Sequence, residues 1–155
     1  MQSLSSEIFF AIIAESRDRP VGVASYLRIA PEMGSIEVGH LRHSRLLQRT
    51  TAATEALYLM MHDVFETHGD RRLEWKCDSL NAPSLAAARR LGFRLEGVFR
   101  NHLVVKGRKR DTSWLSITVE EWPKIRQALE AWLAPDNFDS AGRERRPLSA
   151  LMRGL

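Results

Sequence analysis

Between positions 49 and 68 the chain carries Ala53, Ala56, Leu57, Met60, Met61, Val64 and Phe65 at spacings of three and four, the stripe of one amphipathic helix. Strand-like segments stand on both sides of it. In residues 35–41, Ile36, Val38 and His40 alternate with Glu37 and Gly39, and a short strand follows Gly69 at residues 72–77. A strand, a crossover helix and a second strand place the two strands parallel. That requirement constrains the fold most, because everything else in the chain reads as antiparallel hairpins.

Residues 8–14 are apolar and β-branched, a turn follows at 17–20, and residues 21–29 are strand-like again. Pro31 and Gly34 bracket the next break. Beyond the short strand, Asn81, Ala82, Pro83 and Ser84 open a second helix that runs through Leu91, with Pro83 near its start and Gly92 as its left-handed terminator. Residues 93–105 and 112–119 are two further strands joined by a basic turn, residues 106–111, in which Gly107 supplies the permissive backbone. Residues 120–133 form a terminal helix with Trp122, Ile125, Leu129, Trp132 and Leu133 on its apolar face. No internal repeat is visible. The order predicts an α+β (mixed α/β) domain over residues 1–133, a mixed and mostly antiparallel sheet of about six to seven strands flanked by helices. Residues 134–155 read as a polar, basic tail, mobile or partly docked.

With 155 residues, 44% of them hydrophobic, one domain with its own core is expected. The single cysteine, Cys77, excludes an internal disulfide, and residues 1–6 lack a secretory pattern, so a cytoplasmic location is expected. No apolar run approaches the roughly 20 residues that cross a bilayer, so no membrane association is expected. His62 and His68 have no companion at metal-ligand spacing, and no metal site is expected. The net charge of +4 suits an anionic ligand, an acidic substrate or nucleic acid. A basic RNA-associated protein is one alternative, resting on residues 106–110 and 143–146, but aromatics interleaved with those charges for base stacking are missing.

The informative junction is residues 46–56, where the chain leaves a strand and enters the long helix with small residues in its first turn. Unbonded N–H groups at a helix start attract an anion, and small side chains let phosphate approach them. The same residues also read as an ordinary Thr-capped helix. A second strand-to-helix junction follows at Asn81, Ala82, Pro83 and Ser84, with Leu91, Gly92 and Phe93 one helix length later. Together the two junctions resemble GNAT acetyltransferases: residues 48–53 resemble the Q/R-x-x-G-x-G/A loop for acetyl-CoA, and residues 81–93 the N-x-x-[SA]…GF segment. Residues 91–97, with Arg100, Asp111, Glu121 and Trp122, are similar to the branch that acetylates the N-termini of ribosomal proteins.

The resemblance, which covers roughly residues 9–133, implies a strand pair that splays apart to hold the pantetheine of acetyl-CoA. Here those strands would be residues 35–41 and 72–77. It implies that the pyrophosphate sits on the amides of Gln48, Arg49, Thr50, Thr51, Ala52 and Ala53, and that the thioester oxygen lies near the backbone of Leu41 to His43. Asn81 would hold the pantetheine arm and Ser84 would hydrogen-bond the departing thiol; the first also reads as a helix cap, the second as ordinary helix-start chemistry. The chain departs from the family pattern in three places. Arg49 and Thr51 stand where many relatives have glycine, Ala88 where many have a tyrosine acid, and a strand and two helices usually precede the hairpin that starts here near Ile8.

The activity implied is transfer of an acetyl group to a primary amine, a protein N-terminus or a small amine, by direct attack on the thioester. A catalytically weak CoA-binding or dimerisation module of the same fold is the nearer alternative. Glu37 and His40 are the candidate bases, expected on opposite faces of their strand by alternation, with Glu74 and Glu96 behind them. His40 also reads as a structural strand histidine. Cys77 reads as a small buried hydrophobe rather than a nucleophile. An open sheet edge and Trp75, Trp114, Trp122 and Trp132 suggest a homodimer as apolar cover, and the branch resemblance suggests ribosome or protein N-terminus as partner.

Overall fold

A computed structural model describes residues 7–15 and 18–154. The readings made at residues 1–6 and at Arg17 fall outside that range. Among the described residues six strands and three α-helices follow the predicted order, and a fourth short helix lies in the segment read as a tail: β1 (Ile8–Ile12), β2 (Gly22–Ala30), β3 (Ser35–His43), α1 (Thr51–His62), β4 (Arg72–Asp78), α2 (Ala82–Arg90), β5 (Arg94–Val105), β6 (Arg108–Thr118), α3 (Trp122–Leu133) and α4 (Leu148–Leu151). The strands make one mixed sheet in the order β1-β2-β3-β4-β6-β5. The chain divides into two compact units, Met1–Glu74 and Trp75–Leu155, with the boundary inside β4.

In the first unit β1, β2 and β3 are antiparallel, and β4 joins β3 in parallel through Ser35 with Arg72, Ile36 with Leu73 and Glu37 with Glu74. The parallel pair is the one the crossover helix demanded. Tyr26 and Val38 are register partners, so they share a face. That face packs on α1, where the Tyr26 hydroxyl donates to the Met60 carbonyl at 2.7 Å. Burial, aided by Asp63 alongside, drives the Tyr26 phenol well above its usual range. Leu57, Met60, Met61 and Val64 supply the helix side of this core. Past His62 the helix widens into a π turn, Asp63–Thr67, closed by a His68 N–H bond to the Asp63 carbonyl.

In the second unit β5 and β6 form a long antiparallel hairpin. The basic turn is shorter than the sequence suggested. Only Lys106 and Gly107 make it, at φ 50° and 75°, and Arg108, Lys109 and Arg110 are strand residues of β6. Residues 134–154, expected to be mobile or partly docked, fold against α3. Leu148 is 1% exposed, and buried Asn137 bonds the Trp132 carbonyl and both backbone groups of Arg146. Phe138 meets Trp132 edge-on at 5.3 Å. Trp75, Trp122 and Trp132 are buried within the domain, so they are core residues rather than the interface aromatics the sequence suggested. Cys77 is buried as a small hydrophobe.

Candidate active site

The loop between β3 and α1 is built on two anchors. Leu47 is 1% exposed and pins the loop to the core, and Gln48 Nε2 ties it back to the β3 terminus by donating to the His43 carbonyl at 2.9 Å. Thr50 is the helix cap: its Oγ1 donates to the Leu47 carbonyl at 2.7 Å and accepts the Ala53 N–H at 3.2 Å. Among the described residues the N–H groups of Arg49, Thr51 and Ala52 have no backbone acceptor. They collect at the positive end of the α1 dipole. Arg49 has φ 60°, the left-handed conformation that glycine adopts without cost, so this arginine keeps a glycine-like backbone while adding a guanidinium. Thr51 is exposed and Ala52 half-buried, so the small first turn is open on that side, while Ala53 is buried against the core. The loop therefore fits a diphosphate.

Upstream, β3 is interrupted at His40. Val23 pairs with Arg42 and Ser25 with Gly39, so His40 and Leu41 together oppose Ala24, and His40 takes φ 48°. This is a β-bulge, which re-aims side chains and breaks the ladder next to Leu41 and His43. It also overturns the expected face assignment. Phe9, Ser25 and Gly39 are successive register partners, and Glu37 lies two residues from Gly39. The His40 ring stacks on Phe9 at 5.3 Å and its Nδ1 is 2.9 Å from Ser25 Oγ, which puts His40 on the face of Glu37. Simple alternation fails because the bulge inserts one residue. The two candidates differ in environment: Glu37 is 4% exposed and ion-paired with Arg28 at 3.1 Å, whereas His40 is exposed.

At the end of β3, His43 is half-buried and its Nε2 is a buried atom with no hydrogen-bond partner among the described residues. Burial lowers its pKa, so the ring is neutral at physiological pH.

A family model described as an acetyltransferase (GNAT) domain matches residues 2–94, more than half of the chain, from β1 through α2. The chain belongs to the GNAT acetyltransferase family. Its GNAT fold is shared with a GCN5-related N-acetyltransferase from Brucella melitensis, whose crystal structure superposes with a TM-score of 0.91 at 48% identity over 94% of this chain and 66% of that one. An uncharacterized N-acetyltransferase, p20 of Bacillus licheniformis, is 28% identical over 113 residues, 73% of this chain and 63% of that protein. The GNAT chain thus spans somewhat under two thirds of the length of these relatives. A Vibrio cholerae structure with the provisional designation of a ribosomal-protein-serine acetyltransferase shares the fold at 24% identity and a TM-score of 0.64, covering 72% of this chain and 64% of that one.

The GNAT residues expected from the second junction lie in the second unit and have local partners. Asn81 caps α2, its Oδ1 accepting the Ser84 N–H at 3.1 Å, and Ser84 Oγ accepts the Trp75 indole N–H at 3.0 Å. Ala88 is fully buried beneath them, so its position supplies no acid. The residues that carried the finer branch resemblance hold the hairpin together. Arg94 pairs with Glu121 at 2.9 Å, Glu96 accepts the Ser116 hydroxyl at 2.6 Å, and Asp111 accepts the Asn101 N–H at 2.7 Å. Glu74 is engaged by Arg72 at 2.9 Å. Sequence reasoning missed Ser25 and Arg28. A lone serine between Ala24 and Tyr26 in a strand-like run was the available signal for the first, which the structure buries completely.

Proposed function

We propose that this domain transfers the acetyl group of acetyl-CoA to a primary amine. The observation that carries the reading is the start of α1, where the N–H groups of Arg49, Thr51 and Ala52 have no backbone acceptors and the exposed Arg49 contributes a guanidinium. Helix-terminal N–H groups favour an anion by ~0.3–1 kcal/mol, up to ~2 when partly buried, and an arginine adds charge-assisted bonds. Thr50 gives its hydroxyl to the cap, so it shapes the loop rather than binding through its side chain. The bound thioester supplies an activated acyl group. Leu41 to His43, next to the bulge, offer backbone donors for the carbonyl oxygen, and neutral His43 adds no competing charge.

His40 is the general base in this reading, since it is exposed while Glu37 is buried in an ion pair with Arg28. Ser84 accepts the Trp75 N–H and so keeps its own proton to donate, which suits the role of protonating a thiolate. Asn81 is committed to its helix. The acceptor is a protein N-terminus, as the resemblance to the ribosomal-protein branch implies, or a small amine. Exposed apolar side chains lie on the two edge strands, Ile8, Phe9 and Phe10 on β1 and Val98, Phe99 and Val104 on β5, and these support a homodimer in place of the tryptophans. No helix among the described residues is long and apolar enough to cross a membrane.

Thiol release from acetyl-CoA with a panel of N-terminal peptides and small amines tests the activity. Amine-dependent release that is lost in His40→Ala is expected. Tight acetyl-CoA binding without turnover on any amine would instead make this the CoA-binding module.

A further inference from the structure

Ser25 sits in the middle of β2 at 0% exposure, an uncommon place for a hydroxyl, which must find partners when it is removed from water. It has two. Its Oγ donates to the Gly39 carbonyl at 3.1 Å and lies 2.9 Å from His40 Nδ1. A hydroxyl has one proton, and the Gly39 carbonyl can only accept it. The second contact is then a bond in which His40 Nδ1 is the donor and Ser25 Oγ the acceptor.

We infer that Ser25 is a positioning residue that holds His40 as its Nδ1–H tautomer, so that Nε2 carries the lone pair that takes the proton of the attacking amine. The inference rests on the reading of His40 as general base. A histidine base works only if the nitrogen facing the substrate is unprotonated, and the bond made by the other nitrogen decides which one that is. The surrounding geometry serves the same end. His40 is held in the left-handed region at φ 48°, a conformation found at functional sites when neighbours enforce it, and Phe9 stacks on its ring at 5.3 Å. Phe9 limits ring rotation from β1 while Ser25 limits it from β2. The charged groups on this face are Glu37 of β3, paired with Arg28 of β2 at 3.1 Å, and the exposed Arg42, the register partner of Val23. The imidazole is thus oriented by a neutral hydroxyl and carbonyl, not by a carboxylate.

Two-bond proton–nitrogen correlation on the histidine-labelled full chain, at a pH where the rings are neutral, reads the tautomer directly, with His40→Asn assigning the signal. The wild-type chain is expected to show Nδ1–H at His40, and Ser25→Ala a mixture of both tautomers. In Ser25→Ala, kcat is expected to fall about tenfold with the KM for acetyl-CoA unchanged, the signature of a lost interaction specific to the transition state. An Nε2–H tautomer in the wild type overturns the inference, whatever becomes of the variant. So does a folded Ser25→Ala chain that retains the tautomer or the full kcat. A wild-type chain that shows Nδ1–H yet acetylates no amine would sink the acetyltransfer reading while upholding the tautomer assignment.

Discussion

Arg49 concentrates the chemistry of the loop in one residue. Its backbone occupies φ 60°, where an L side chain costs about 1–2 kcal/mol relative to glycine, so the conformation is retained for what the loop presents. Arg49→Gly should leave chemical-denaturation stability unchanged or raised by up to ~1 kcal/mol. The same substitution should weaken acetyl-CoA binding in calorimetry about tenfold, ~1.4 kcal/mol. His43 makes a prediction in pH. Its folded pKa is lowered by burial, so above about 6.5 both folded and unfolded forms are neutral and stability is at its full value. As the pH falls below that value the unfolded chain takes up the proton first and stability is lost, until the folded pKa is passed. His43→Gln should flatten this part of the stability profile, and an unchanged slope would assign it to another group. The threonine cap of α1 was legible at this scale, whereas the left-handed Arg49 was not, since an arginine in place of glycine reads as a loss of backbone freedom. Ser25 and the left-handed His40 were not, because neither residue type announces a bulge.

Elements were legible wherever one period persisted. The stripe from Ala53 to Phe65 gave α1, and the alternation of Ile36 and Val38 gave β3 and its parallel partner. What escaped was irregular: the bulge at His40, the π turn after His62 and the two-residue turn at Lys106 and Gly107 all depend on how neighbouring elements meet. The docking of residues 134–154 was legible only as one of two readings, mobile or partly docked, because few side chains carry it, chiefly Asn137 and Leu148 in an otherwise polar segment. Leu148→Ala should therefore cost roughly 2–5 kcal/mol in a denaturation experiment and expose the segment to limited proteolysis. The loop is equally dependent on its seat. A Cβ at Gly22 would lie 2.6 Å from Leu47 Cδ2 and 3.0 Å from the Arg42 carbonyl, so Gly22→Ala must push the loop anchor aside. A loss of roughly 1–3 kcal/mol is expected, together with weaker acetyl-CoA binding. Normal binding by a destabilised Gly22→Ala chain would show that Leu47 anchors the core alone.

For the whole molecule, the fold and the chemistry meet at the junction the sequence already marked, where a parallel strand pair requires a crossover helix and that helix begins with unbonded N–H groups. The ordering of strands follows from that crossover and two flanking sets of hairpin strands, and membership of the GNAT family follows from the match over residues 2–94. The amine acceptor was less legible, since the residues similar to one branch of the family, Arg94, Glu96, Asp111 and Glu121, are used to tie the β5–β6 hairpin and α3 together. A difference map from crystals of this chain soaked in acetyl-CoA tests the central claim most directly. The account predicts diphosphate density against the amides of Arg49, Thr51 and Ala52 with the Arg49 guanidinium turned toward it; ligand density seated elsewhere, with those amides left untouched, would contradict it.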